Sequence, residues 1–409
     1  MKIVALLLAM LFAVPAFSQE FAVHGQATFV EQLDGKFNDP YNGPNSLTQS
    51  QHAETIDATL FLGARLWSNA ELWLNTTIDQ GFGLDNTLGL AGFSSGEAYK
   101  VGRSHPYFRF DRYFIRQTIN LGGESQSVEE TANQFGNHYD ANRLVFTIGK
   151  ISVPDIFDAN DYAHDPRHDF LNWSAIDVGS FDYGAESWGY TTGAVVEWYQ
   201  GKWALRAGLV DLSIIPNSET LDPGFHQFEI LAELERRWQS GKIVFTRFQN
   251  RGRMALLTNI NDRQYRTRTG ISANIQQAIT DNLGWFARAG KASGNVEVYE
   301  FSDIDQSVSS GFSIKGTRWG RPSDTIGIVV IRNSISAERE QFLNGGGLGL
   351  LIGDGQLPRP RAEQIGETYY DFGFGHVHAA LDYQYVVNPA YNSDRGPISI
   401  LGIRLHAQF

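Results

Sequence analysis

Few stretches of this 409-residue chain place reactive side chains at a spacing that catalysis uses. Glu229 and Glu233 form an acid pair, but residues i and i+4 on a strand lie about 13 Å apart, beyond the usual span of a two-carboxylate hydrolase. His164 and His168 flank acidic residues, yet Pro166 breaks the helical spacing that a two-histidine metal site needs, so a turn is the simpler reading and no metal is assigned. The glycine-rich run at 345–355 fits neither G-x-G-x-x-G nor the P-loop pattern, and no G-x-S-x-G elbow is present. These absences argue against an enzyme and call for no cofactor. A different regularity stands out: Asp57, Arg65, Glu71, Trp73 and Asp79 all fall on one parity of the stretch 55–81.

The opposite parity of that stretch is aliphatic, with Ile56, Ala58, Leu60, Leu62, Ala64 and Leu66, then Leu72, Leu74 and Ile78 after Ser68-Asn69. Side chains alternate across a strand, so residues 55–81 read as a tight antiparallel hairpin with one apolar and one polar face. Each strand has about 10–12 residues, enough to cross a tilted bilayer core. A charged face opposite an aliphatic one suits water around a soluble sheet or water inside a wide barrel.

Sixteen strands can be read along the chain, and their connections alternate in length. Short turns fall at 68–69, 200–201, 239–241, 280–282, 318–324 and near 376. Long excursions fall at 33–53, 82–105, 152–188, 211–224, 251–264, 291–306 and 336–366, with 389–396 the last connection on that side. Even strand number, short turns at one end and long loops at the other are habits of outer-membrane barrels. The segment 122–142 breaks the rule, being about twenty residues long where a short turn belongs. The predicted fold is therefore all-β, a transmembrane antiparallel barrel of about sixteen strands.

Residues 1–18 have a basic start, a short apolar run and a small-residue end, which predicts a signal peptide, with the barrel occupying 19–409. The chain has no cysteine, so an exported protein of this kind is held without disulfides. Without Lys2 the formal charge is −13, against a nucleic-acid partner. The terminal strand 397–409 puts Leu401, Ile403, Leu405 and Phe409 on one face and Arg404 on the other, and it must close on 21–32 if the sheet is a barrel in lipid.

Several motifs resemble the bacterial carbohydrate-selective porins of the OprB type. They include T-I-D-A-T-L-F-L-G-A-R-L-W at 55–67, D-Q-G-F-G-L at 79–84, S-G-E-A-Y-K-V-G-R at 95–103, A-H-D-P-R-H-D-F-L-N-W-S at 163–174, Y-E-F-S-D-I-D at 299–305 and G-G-L-G-L-L-I-G-D-G at 346–355. The resemblance runs through most of the chain in the family's order. It implies a bacterial outer-membrane channel conducting sugars by passive diffusion, as a monomer or homotrimer in contact with outer-membrane lipid. Terminal aromatic strands of this kind also resemble the signal read by the barrel-assembly machinery.

In such a pore, sugar hydroxyls suit ionised side chains and sugar C–H faces suit aromatic rings. The polar parity gives the candidate lining: Asp57, Arg65, Glu71, Trp73, Asp79, Arg112, Arg116, Arg143, Glu197, Arg206, Glu229, Glu233, Arg288, Asp382 and Arg404. Most of these can equally be plain wet-wall residues. The longest loop, 152–188, carries Asp155, Asp158, Asp165, Arg167, Asp169 and Trp173, and folded inward it would set the size limit. The competing readings are a general porin without a binding site and a secreted soluble β-sandwich lectin.

Overall fold

The computed structural model describes residues 20–301 and 303–409; residues 1–18, the expected signal peptide, lie outside them. The strands are β1 (Phe21–Asp34), β2 (His52–Trp67), β3 (Ala70–Gly81), β4 (Arg103–Asn120), β5 (Ser125–Val128), β6 (Asn137–Asp140), β7 (Arg143–Ile151), β8 (Thr191–Gln200) and β9 (Trp203–Asp211). They continue with β10 (Phe228–Trp238), β11 (Gly241–Leu256), β12 (Asn259–Thr280), β13 (Leu283–Ala292), β14 (Gln306–Lys315), β15 (Thr325–Ser334), β16 (Glu363–Phe374), β17 (Val377–Val387) and β18 (Ile398–Gln408). All but β5 and β6 form one closed antiparallel barrel of sixteen strands. Among the described residues two α-helices sit in the loops, α1 (Trp173–Ile176) and α2 (Ala337–Asn344).

The β2–β3 hairpin shows why the sheet closes as it does. Asn69 takes a left-handed turn conformation, and the strands pair from Arg65↔Glu71 up to Thr55↔Gly81. Leu60, Leu62, Leu72 and Ile78 are exposed on the outer face, while Asp57, Trp73 and Asp79 are buried inside. The outer apolar face recurs at Phe108, Ile148, Leu209, Ile271, Val330, Leu381 and Leu401, a belt around the whole barrel. Such a belt is at home in hydrocarbon, where closure leaves no strand edge unpaired. A β-sandwich is thereby overturned, because one sheet closes on itself and carries an exposed aliphatic belt on its outside.

Closure runs through the chain ends. β18 pairs with β1 from Gln26↔Gln408 to Asp34↔Ile400. One rung further, Gly25 and Phe409 exchange both backbone hydrogen bonds, at 3.0 and 2.9 Å. The Phe409 ring lies over Gly25, and a Cβ there would stand 2.3 Å from it.

Three boundaries differ from the sequence expectation. β4 begins at Arg103, nine residues before the expected start at Arg112, because a bulge between Asn75 and Thr76 switches the parity of β4 between Asp111 and Arg112. β11 and β12 run on past 251 and 264 into a long hairpin, so no open loop spans 251–264. The segment 122–142 contains the β5–β6 hairpin, which folds back under the barrel mouth.

Candidate functional site

The barrel interior is largely filled by loops. Residues 152–188 turn inward, and most of their side chains from Phe170 to Ser187 are buried. Asn172 caps α1 by accepting from the Ser174 amide. Trp173 lies between the rings of Phe93 and Phe301, at centroid distances of 5.0 and 4.9 Å and interplanar angles of 18° and 21°. Phe93 comes from a second infolded loop, 82–102, whose Ala91 and Gly92 amides donate to Glu363. That second infolding escaped the sequence reading. Its signal was the uncharged run Gly89–Ser95, with Leu90 and Phe93 among small residues, which no exposed loop needs.

Wall charges clamp the loop in place. Arg404 donates to the carbonyls of Pro166, Asp169 and His168, at 2.7, 2.6 and 3.1 Å. Arg288 donates to the carbonyls of Ala175 and Ala163 and pairs with Asp158 at 3.2 Å. Glu229 accepts from the Gly184 amide and Glu233 from the Asp158 amide. Asp382 accepts from Gln384, which itself holds the Ser94 carbonyl. Asp169 accepts from the amides of His164 and Asp165, shaping the loop from within. A buried carbonyl or amide needs a partner, and these side chains supply it.

A cavity of about 470 Å³ lies against β4 and β7. Its wall side is Arg112, Phe114, Arg116 and Thr147, and its loop side includes Asp155, Asp165, Arg167 and Trp173. Arg112 forms a two-bond pair with Asp155, both contacts at 2.6 Å. Arg167 lies 3.3 Å from Glu97, 3.5 Å from Asp165 and 3.9 Å from Asp57. Aromatic faces stand beside these charges: the Arg112 guanidinium is 4.9 Å from the Tyr190 ring, and Lys100 is 4.8 Å from Phe301. Glu97, Tyr99 and Lys100 fall within the 95–103 motif but not within the candidate lining, because they lie on a loop without periodicity; Tyr190 stands just before β8.

Burial shifts the loop ionisations. It pushes the Lys100 ammonium down to about 8, against the pull of Glu300, and the Asp177 carboxyl up to about 8, with Asp158 adding to the rise. Burial raises the Glu97 carboxyl as well, and Arg167 opposes that. Burial also acts on Asp165, but Arg167 and His168 outweigh it and hold the group below the usual carboxylate range.

The other sequence candidates point inward without bordering this cavity. Arg206 binds Glu197 at 3.0 Å and Glu233 at 2.7 Å, a buried network across β8, β9 and β10. Arg143 covers the Tyr199 ring at 4.2 Å. Asp79 accepts from Arg109 at 2.6 Å, and Arg109 also pairs with Asp111; neither residue was anticipated, since β4 was started too late. Glu71 accepts from the Trp73 indole at 3.0 Å, and Arg65 donates to the Gly136 carbonyl of the 122–142 insert at 2.8 Å.

A sixteen-stranded barrel with an apolar belt, short turns at one end and infolded loops around a charged cavity is an outer-membrane porin. The model of the carbohydrate-selective porin, OprB family, matches residues 45–409, and the chain belongs to that family. Among solved structures, the high-pH form of Pseudomonas putida OprB aligns with a TM-score of 0.69 at 15% identity, over 96% of this chain and 94% of that one. The outer membrane channel DcaP of Acinetobacter baumannii aligns with a TM-score of 0.55 at 10% identity, over 95% and 97%. At these identities the likeness is one of fold. A comparison with curated proteins gives no match.

Proposed function

We propose that this porin conducts mono- and small oligosaccharides selectively, by passive diffusion along the passage beside β4 and β7. The observation that supports this most is the juxtaposition of Arg112–Asp155 and Arg167–Glu97–Asp165 with the rings of Tyr190, Trp173 and Phe301 around one cavity. Opposed charges bond hydroxyls as donors and acceptors together, and each bond to a charged group contributes roughly 1.5–3 kcal/mol. The same opposed charges leave no net attraction for a simple ion of either sign. The aromatic faces suit the C–H surface of a pyranose.

Within this reading Arg112, Arg116, Asp155, Asp165 and Arg167 contact the solute, and Trp173, stacked on both faces, packs the loop behind them. Arg288, Arg404, Glu229, Glu233 and Asp382 hold the loop that shapes the path. The protein acts as a monomer or homotrimer, reaching the outer membrane through recognition of β18 by the barrel-assembly machinery. Liposome swelling with a graded series of sugars, polyols and salts tests the function. Sugars should enter faster than uncharged solutes of equal size. Entry ranked by size alone would mark a general porin.

A further inference from the structure

The 122–142 insert is not a loose tether between β4 and β7. Its β5–β6 hairpin folds into the periplasmic mouth of the barrel. Phe135 is buried, with its ring 5.1 Å from Trp73 and the Arg65 guanidinium 4.6 Å above it. Tyr139 donates to Glu71 at 3.3 Å, and Arg116 donates to the Asn133 carbonyl at 2.8 Å. These anchors are inward residues of β2, β3 and β4, so the insert is seated on the lumen wall. Its tip, Thr131, Ala132, Asn133 and Gln134, borders the same cavity as Arg112 and Asp155.

One atom in that tip is conspicuous. The Asn133 side-chain Oδ1 is buried and has no hydrogen-bond partner. A buried acceptor without a partner is costly unless something fills it, and Asn133 is one of the residues that line the cavity. Arg116, fixed by its bond to the Asn133 backbone, retains further guanidinium donors for a solute.

We propose that the insert tip is a second sugar-contact station at the periplasmic end of the passage, in series with the Arg112–Asp155 pair. Asn133 Oδ1 accepts from a sugar hydroxyl, Arg116 donates to a sugar oxygen, and the hairpin behind them bounds the exit. The inference rests on the sugar-conducting reading for its ligand, but its geometric part does not depend on it.

The test uses the full-length porin in planar bilayers. The chain has no cysteine, so Asn133→Cys provides a single labelling site. Reaction with a bulky thiol reagent in potassium chloride alone should lower single-channel current stepwise; an unchanged current overturns the placement of the tip in the path. Asn133→Ala should weaken sugar-dependent current block about 2- to 10-fold, the loss of one hydrogen bond. A block unchanged from the unsubstituted protein overturns the sugar contact. Replacing 124–140 by a short turn should raise conductance and admit larger sugars. If that variant fails to fold, the labelling experiment still decides the placement. If the unsubstituted protein shows no sugar block, it is the sugar-conducting reading that fails, while labelling separately reports where the tip sits.

Discussion

The carboxylate of Asp155 meets two nitrogens of Arg112 at 2.6 Å each, joining the infolded loop to the barrel wall at the edge of the passage. The pair is partly exposed, at 16% and 35% of the side-chain surface, so a solute can compete for it. A guanidinium held in a planar fork is preorganised for oxygen acceptors, which is why lysine would not replace it.

Arg112→Ala should therefore weaken sugar block by roughly 10-fold, in line with the loss of a charge-assisted bond. Arg112→Lys should recover only part of it. Conductance in salt should rise, because the bulk of the side chain is gone. Current-noise titration with glucose measures the first effect, and a heat-modifiable band on gels checks that the barrel has folded.

Loosening the clamps should act differently. Arg404→Ala and Arg288→Ala together leave buried loop carbonyls without donors, at roughly 1–3 kcal/mol for each that water does not reach. The expected result is a noisier, wider channel with a relaxed size limit, while the barrel itself stays folded. Single-channel recordings with oligosaccharides of increasing length read this out. A channel indistinguishable from the parent would mean that the loop is held by its aromatic packing alone.

Lys100 and Asp177 both border the cavity, and burial brings both to about 8. As pH rises through that value Lys100 loses its positive charge and Asp177 gains a negative one, so the two changes have the same sign. Cation preference measured by reversal potential in a salt gradient should increase between pH 6 and 9. Lys100→Met and Asp177→Asn should each remove part of that increase. A pH-independent reversal potential would contradict the assignment.

The fold was legible because a strand in a membrane barrel must present apolar side chains outward at every second position. Leu60, Leu62 and Leu72 obey that rule on one side, and Asp57 and Trp73 on the other. It failed at β4, where the bulge at Asp111 and Arg112 reverses the parity and hid Arg109. The site was less legible. Residue type places both Arg112 and Arg404 inside the barrel, but only packing decides that one meets the passage and the other meets loop carbonyls. The infolded loops are held by backbone amides on carboxylates, such as Leu171 on Glu367 at 2.5 Å, and such contacts leave no periodic trace in the sequence.

Deleting Phe409 should separate assembly from stability. Its ring covers Gly25 and its backbone makes the last rung of closure. A targeting role for this end predicts a far greater loss of outer-membrane insertion in cells than of refolding in detergent. Equal losses would make Phe409 a packing residue only.

The most direct test of the sugar-conducting account is single-channel current through the unsubstituted porin as a sugar is titrated at fixed salt. The account predicts saturable block by sugars, absent with an uncharged non-sugar solute of equal size and diminished in Arg112→Ala. A current that falls only with solution viscosity, equally for every solute and in both proteins, would contradict it.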